Sequence, residues 1–105
     1  MVKAAIVEDE TSYAEELSSF FKRYMITNNH SFQTTIFTTA DKFLANYKVG
    51  EFDIIFMDIE MPGTNGMEAA KILRKKDSEV ILFFVTNLSQ YALESYEVQA
   101  FNFMV

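Results

Sequence analysis

The middle of the sequence reads Phe52-Asp53-Ile54-Ile55-Phe56-Met57-Asp58-Ile59-Glu60-Met61-Pro62-Gly63. Ile54–Met57 is an unbroken apolar run, which is typical of a strand buried on both faces of a parallel sheet. The run stops at Asp58, and a Pro-Gly turn follows within a few residues. The pattern therefore predicts a central strand with a carboxylate at its carboxyl end. Ligands bind at that edge in open α/β sheets.

Strand and helix patterns alternate on both sides of this stretch. Before it, the patterns predict a strand at Lys3–Val7, a helix from Thr11 or Ser12, a strand at Phe32–Phe37, and a helix capped by Thr38 or Thr39 and stopped at Gly50. After it, they predict a helix capped within Thr64-Asn65-Gly66 and running to about Lys76, a strand at Glu79–Val85, a short helix at Ser89–Tyr96, and a strand at Ala100–Val105. This alternation predicts a parallel sheet with right-handed crossovers.

Apolar residues at helical spacing predict the faces that the helices bury. The first helix is predicted to bury an apolar stripe formed by Tyr13, Leu17, Phe20, Phe21 and Tyr24. Ser18 lies off this stripe. The second is predicted to use Ala40, Phe43, Leu44 and Tyr47, and the third Met67, Ala70 and Leu73.

Length and composition restrict the class of protein. The chain has 105 residues, half of them hydrophobic, which predicts one globular domain with a modest core. A formal charge of -6 argues against binding to nucleic acid, because phosphate contacts need clustered Lys and Arg. No apolar run approaches a membrane span, and the first residues lack the layout of a signal peptide. With no cysteine present, we expect a cytoplasmic protein without disulfides.

Three predicted strands end in polar residues: Glu8 and Asp9 after the first, Asp58 after the third, and Thr86 after the fourth. Taken alone, each is most simply a solvated helix start, a turn residue or a helix cap. Because the carboxyl ends of parallel strands share one edge, we expect them to form one site. Two carboxylates about 4 Å apart repel by roughly 4 kcal/mol at an effective dielectric near 20, so the site calls for a cation. Oxygen ligands without histidine favour Mg²⁺ over zinc.

With these residues in place, the chain resembles the receiver domain of two-component response regulators. The resemblance covers nearly the whole chain and is carried by Ala5-Ile6-Val7-Glu8-Asp9-Glu10, Asp58-Ile59-Glu60-Met61-Pro62-Gly63 with Asn65-Gly66, Phe83-Phe84-Val85-Thr86, and Ala100-Phe101-Asn102-Phe103-Met104-Val105. Three further segments resemble regulators with a LytTR-type DNA-binding output: Val85-Thr86-Asn87, Tyr91-Ala92-Leu93-Glu94 and Tyr96-Glu97-Val98.

The resemblance implies a flavodoxin-like, three-layer α/β fold with strand order 2-1-3-4-5. It implies that Asp58 accepts a phosphoryl group from a sensor histidine kinase. It implies a Mg²⁺ or Mn²⁺ site formed by Asp9, Asp58 and the backbone carbonyl of Glu60, with Glu8 acting through water. Thr86 would bind a phosphoryl oxygen, and Phe103 matches the switch aromatic of the family.

The family also implies partners and further segments. The chain is expected to be a receiver domain over residues 1–105, ending at the fifth strand, that controls a transcription-regulatory output domain outside this sequence. A homodimer through the fourth-helix and fifth-strand face is possible for such a domain. Self-phosphorylation and autodephosphorylation at Asp58 are expected, but not the turnover of an enzyme. Aligned on Phe103, the Lys that the family carries after the fifth strand would fall one position beyond Val105, and the fifth helix of the family would follow it. We therefore expect a C-terminally truncated chain with an apolar patch exposed beside the first helix.

Three other classes remain as alternatives. Asp58-Ile59-Glu60 faintly resembles the Asp-x-Asp of haloacid-dehalogenase-type hydrolases, but Met61-Pro62 follows where that family has Gly-Thr. A cofactor-binding flavodoxin-like module needs a phosphate-cradling loop after the first strand, where this chain has three acidic residues. A pseudo-receiver that is never phosphorylated would act only as a protein-interaction module.

Overall fold

The computed structural model describes residues 1–59, 61–85 and the backbone of 102–104. Its elements are, in chain order, β1 (Val2–Val7), α1 (Thr11–Thr27), β2 (Phe32–Phe37), α2 (Ala40–Ala45), β3 (Ile54–Met57), α3 (Gly66–Lys76), β4 (Ile81–Val85) and β5 (Asn102–Met104). The strands form one parallel sheet in the order β2-β1-β3-β4-β5. The predicted fold and strand order are confirmed, while the predicted helix at Ser89–Tyr96 lies outside the described residues.

The sheet is buried on both faces, as the unbroken apolar runs predict. Successive side chains of a strand point to opposite faces. In β3, Ile55 and Met57 therefore face the larger core under α2 and α3, whereas Ile54 and Phe56 face the smaller core under α1. Leu73 of α3 is fully buried in the larger core. Each face thus buries a separate apolar cluster, which fixes the register of the central strands.

The face that α1 buries differs from the predicted stripe. Ala14 and Met25 are buried, and Leu17 and Phe21 pack against the smaller core. Three of the four aromatic residues of the stripe are instead largely exposed: Tyr13 at 63%, Phe20 at 64% and Tyr24 at 59%. Ser18 was placed off the apolar face, but its hydroxyl lies 2.8 Å from that of Thr34 on β2. The prediction was wrong because α1 buries the small Ala14, which contributes little to an apolar stripe, in place of these large aromatic side chains.

The ends of α2 and α3 follow capping rules. Thr39 caps α2 by accepting a hydrogen bond from the Lys42 amide, and Asn65 caps α3 by accepting one from the Glu68 amide. The prediction that α2 reaches Gly50 was wrong, since the helix ends at Ala45. Gly50 instead occupies a turn with φ of +88°, a conformation that favours glycine.

A buried polar cluster joins the carboxyl-terminal ends of α2 and α3. Asp77, only 6% exposed, accepts hydrogen bonds from the Tyr47 hydroxyl at 2.7 Å and from the amides of Glu79 and Val80 at 3.0 and 3.1 Å. Arg74 donates to the carbonyl oxygens of Asp77 and Val80. Burial alone would raise the pKa of Asp77, but these hydrogen bonds and the Arg74 charge outweigh it and lower that pKa. Asp77 thus anchors the turn into β4 and ties it to the segment after α2.

Candidate functional site

Backbone pairing at the end of the sheet brings the first acidic residues to Asp58. Val7 is in register with Met57, so Glu8 and Asp58 each follow the last paired residue of their strand. The Asp58 amide donates to the Val7 carbonyl at 3.0 Å, and the Glu8 amide donates to the Phe37 carbonyl of β2 at 3.0 Å. Both acidic residues are therefore fixed by main-chain hydrogen bonds at the carboxyl edge of the sheet.

The carboxylates of Glu8, Asp9 and Asp58 form one cluster. One ligand oxygen from each lies within 4.8 Å of the others, and Glu8 and Asp58 are partly buried. Burial raises the pKa of Glu8 to about 7, and the charge of Asp58 adds to that rise, while a hydrogen bond from the Glu10 amide opposes it. The raised pKa thus follows mainly from burial, and the nearby charge of Asp58 adds to it.

The donor set suits a hard divalent cation. Three carboxylates at this separation supply oxygen ligands of the kind that Mg²⁺ and Mn²⁺ take, and a cation would offset their mutual repulsion. Neither His nor Cys belongs to the cluster, so the soft and nitrogen ligands that zinc prefers are absent from its described members.

The loop after Asp58 is packed closely against the main chain of the site. The Gly66 amide donates to the Ile59 carbonyl at 2.8 Å, which closes the loop. A Cβ atom placed on Gly66 would lie only 2.1 Å from the Asp58 carbonyl oxygen. Gly63 has φ of +76°, as the predicted Pro-Gly turn requires. Only glycine at position 66 permits this approach of α3 to Asp58.

A groove runs from the carboxylate cluster along α1. It has a volume of about 310 Å³, with Glu8 and Asp58 at its acidic end. Its apolar wall includes exposed Phe20 and residues Leu17, Phe56 and Val85. The sequence predicts an exposed apolar patch beside α1, and the described residues of this groove form an apolar surface there.

The structure brings together three of the predicted site residues, Glu8, Asp9 and Asp58. Glu60 and Thr86 lie outside the described residues. Phe103 is described only by its backbone, which pairs with Phe84 of β4. The roles assigned to all six residues stay predictions.

The sequence patterns do not predict two polar contacts, one beside the site and one at the carboxyl-terminal ends of α2 and α3. The Thr64 hydroxyl donates to the Asp41 carboxylate at 2.8 Å, across 23 positions of sequence, and Tyr47 bonds Asp77 across 30. Asp77 has a local signal, since an Asp followed by Ser-Glu after a helix favours an Asx turn. The Asp41 contact has no local signal, because it depends on how α2 and α3 pack.

No helix within the described ranges is long and apolar enough to cross a membrane.

A family model and several known sequences match nearly the whole of this chain. A model of the response regulator receiver domain matches residues 4–105. The sensory transduction protein LytT of Oceanobacillus iheyensis is 31% identical over 102 residues, which are 95% of this chain and 40% of that protein. The transcriptional regulatory protein YpdB of Escherichia coli K12 is 30% identical over 109 aligned positions, covering 99% of this chain and 41% of that protein. The chain therefore spans about two fifths of the length of the curated relatives it matches.

Solved structures agree with this assignment. The response regulator TrrA of Thermotoga maritima, solved in complex with Mg²⁺ and BeF, superposes with a TM-score of 0.84 at 26% identity and covers all of this chain and 86% of that one. The response regulatory domain of MrkE from Klebsiella pneumoniae gives a TM-score of 0.77 at 28% identity, covering 99% of this chain and 82% of that one. The predicted similarity to LytT-type regulators is confirmed by the relatives. With its sheet order, acidic edge and a family model matching residues 4–105, this chain belongs to the response regulator receiver domain family.

Proposed function

We propose that this chain is the phosphoacceptor domain of a two-component response regulator and that Asp58 takes the phosphoryl group. The observation that carries the proposal is the cluster of Glu8, Asp9 and Asp58 at the carboxyl edge of the sheet, with the pKa of Glu8 raised to about 7. In a protein of this family, such a cluster is explained by a site that works with a divalent cation. The similar regulator TrrA, solved in complex with Mg²⁺ and BeF, supports a divalent cation at this site.

The proposed chemistry is transfer of one phosphoryl group to a carboxylate. An Asp58 oxygen attacks the phosphorus of a phosphohistidine, a P–O bond forms, and the P–N bond breaks with its electron pair left on the imidazole nitrogen. The product is an acyl phosphate on Asp58. Backbone hydrogen bonding of the Asp58 amide to Val7 holds the nucleophile in place during this step.

Asp9 and Asp58, with the carbonyl of Glu60, would hold Mg²⁺ or Mn²⁺, and Glu8 would act through water. When bound, the cation supplies positive charge that offsets the carboxylates and the incoming phosphoryl oxygens. At low pH, Glu8 would limit the affinity of the site for the cation, since the protonated carboxyl group carries no negative charge. Thr86 would donate to a phosphoryl oxygen, and the Phe103 side chain would follow Thr86 as the switch element.

The proposed partners are a sensor histidine kinase and the output domain of the full-length protein. The relatives named for sensory transduction and transcriptional regulation favour a DNA-binding output, which would be exercised in the cytoplasm. The receiver domain occupies residues 1–105 in this proposal. Dimerisation through the fourth-helix and fifth-strand face is a further way to pass the signal on. Phosphoryl gain and loss at Asp58 would be single events of signalling rather than enzyme turnover.

The test is the intact mass of the protein after incubation with acetyl phosphate and Mg²⁺. We expect a gain of one phosphoryl group, which disappears in Asp58→Ala and in EDTA. Asp53→Ala is the matched control, because Asp53 lies at the opposite end of β3, where its carboxylate accepts from the Lys3 amide. It should be labelled like the wild type. Absence of labelling in the wild type under these conditions would favour the pseudo-receiver.

A further inference from the structure

The loop that follows Asp58 is held at two points. Its base is closed by the Gly66 amide, which donates to the Ile59 carbonyl at 2.8 Å. Its far side is held by the Thr64 hydroxyl, which donates to Asp41 Oδ1 at 2.8 Å. Asp41 belongs to the first turn of α2 and not to the loop or to α3. The loop is therefore tied to a separate element of the fold.

The Asp41 carboxylate also covers Gly63. A Cβ atom on Gly63 would lie 3.4 Å from Asp41 Oδ2, while Oδ1 of the same carboxylate accepts from Thr64. Gly63 has φ of +76°, so this part of the loop already has an unusual backbone conformation. The Asp41 carboxylate thus binds Thr64 and lies close to the neighbouring Gly63. This arrangement fixes the position of the bend relative to α2.

We propose that Asp41 and Thr64 are positioning residues that set the loop after Asp58 in place for cation binding. The proposal rests on the proposed function, since residue 60, the expected source of a carbonyl ligand, belongs to this loop. Neither Asp41 nor Thr64 is a member of the carboxylate cluster, and neither is proposed to bind the cation. They act by restricting the loop before a cation arrives, which lowers the ordering cost of binding.

Another hydrogen bond between the α2 and α3 regions provides an internal control. Tyr47 donates to Asp77 at 2.7 Å near the carboxyl-terminal ends of the two helices, away from the loop. It is also a hydrogen bond from a hydroxyl to a carboxylate. Tyr47→Phe removes it as Thr64→Val removes the other. If general coupling of α2 to α3 governed the site, both substitutions would have the same effect.

The experiment measures Mg²⁺ affinity by titration of the amide NMR spectrum, with hydrogen exchange of the Gly66 amide followed in the metal-free protein. In Thr64→Val we expect Mg²⁺ to bind roughly fivefold more weakly and the Gly66 amide to exchange roughly fivefold faster, the effect of one ordinary hydrogen bond. Thr64→Ser, which keeps the hydroxyl, should restore both. Tyr47→Phe should lower the melting temperature but leave both readouts within about twofold of the wild type.

A double-mutant cycle separates the hydrogen bond from the charge of Asp41. Asp41→Ala should weaken Mg²⁺ binding, and adding it to Thr64→Val should produce little further loss, because the two residues act through one contact. Additive effects, or unchanged Mg²⁺ affinity and Gly66 exchange in Thr64→Val, would overturn the proposal. A wild-type protein that binds no Mg²⁺ would instead contradict the proposed function. Gly66 exchange would then still report whether the contact orders the loop.

Discussion

Replacement of Gly66 by Ala sets two physical effects against each other. Gly66 is the first residue of α3, and its φ is not positive. Alanine is the better helix former by up to about 1 kcal/mol, so helix propensity alone predicts that Gly66→Ala stabilises the protein. The added Cβ would, however, lie 2.1 Å from the Asp58 carbonyl oxygen and 2.8 Å from both the Asp58 carbonyl carbon and Ile59 Cα.

The size of the clash decides which effect wins. Real Cβ atoms essentially never approach another heavy atom within 3.0 Å, so the two segments must separate by at least 0.9 Å, the difference between 3.0 and 2.1 Å. The atoms in the way are backbone atoms and cannot rotate aside. Overpacking costs roughly 1–3 kcal/mol, and weakening of the Gly66–Ile59 hydrogen bond adds about 1 kcal/mol. After subtraction of the helix gain, we expect a net loss of roughly 1–3 kcal/mol.

Thermal unfolding followed by circular dichroism measures this loss. For a domain of this size, it corresponds to a decrease in Tm of roughly 5–20 °C. Gly50→Ala is the control, since Gly50 has φ of +88° but nothing within 4 Å of a Cβ atom. It should lose about 1 kcal/mol from backbone strain alone and keep its Mg²⁺ affinity. A Gly66→Ala protein as stable as the wild type, or more stable, would refute the packing argument.

Three further substitutions test other parts of the structure. The pKa of Asp77 is held below its ordinary value of 3.8, so the stability that Asp77 contributes is present above that pH and is lost as the pH falls through the folded-state pKa. In Asp77→Asn, the free energy of unfolding measured in urea should therefore fall less steeply between pH 7 and 2. The same pH dependence in variant and wild type would contradict this. The pKa of Glu8 is raised from 4.5 to about 7, so without metal, in EDTA, the stability of the protein should fall as the pH rises from 4.5 to 7. Glu8→Gln should abolish this pH dependence. A Glu8→Gln protein less stable than the wild type at pH 8 would contradict this. Leu73→Ala removes a fully buried side chain and should cost roughly 2–5 kcal/mol in urea unfolding, a loss below 1 kcal/mol being incompatible with the described core.

Much of the fold was predictable because it depends on local patterns. The apolar run Ile54–Met57 identified the central strand, and Phe32–Phe37 was predicted with the bounds that the structure has. The side-chain amide of Asn65 caps α3 as predicted. Parallel pairing then determined that Glu8 and Asp58 would meet, because both follow residues that are in register. The central part of the site was thus predictable from strand ends alone.

The remaining features depend on how separate elements pack. The apolar stripe does not predict the buried face of α1, because the fully buried Ala14 contributes little to such a stripe. The early end of α2 at Ala45 allows Tyr47 to reach Asp77, a partner that no sequence spacing indicates. The contact between Asp41 and Thr64 likewise appears only when α2 and the loop after β3 are placed together.

Asp58, and not a neighbouring carboxylate, is proposed to carry the phosphoryl group. Acyl phosphates are reduced by borohydride, which would convert a labelled aspartate into homoserine and leave unlabelled carboxylates unchanged. The most direct measurement is therefore peptide mapping by mass spectrometry after acetyl phosphate, Mg²⁺ and borohydride. We predict homoserine at position 58 alone and none when Mg²⁺ is withheld. Reduction at Glu8 or Asp9, or labelling that persists in Asp58→Ala, would contradict the account.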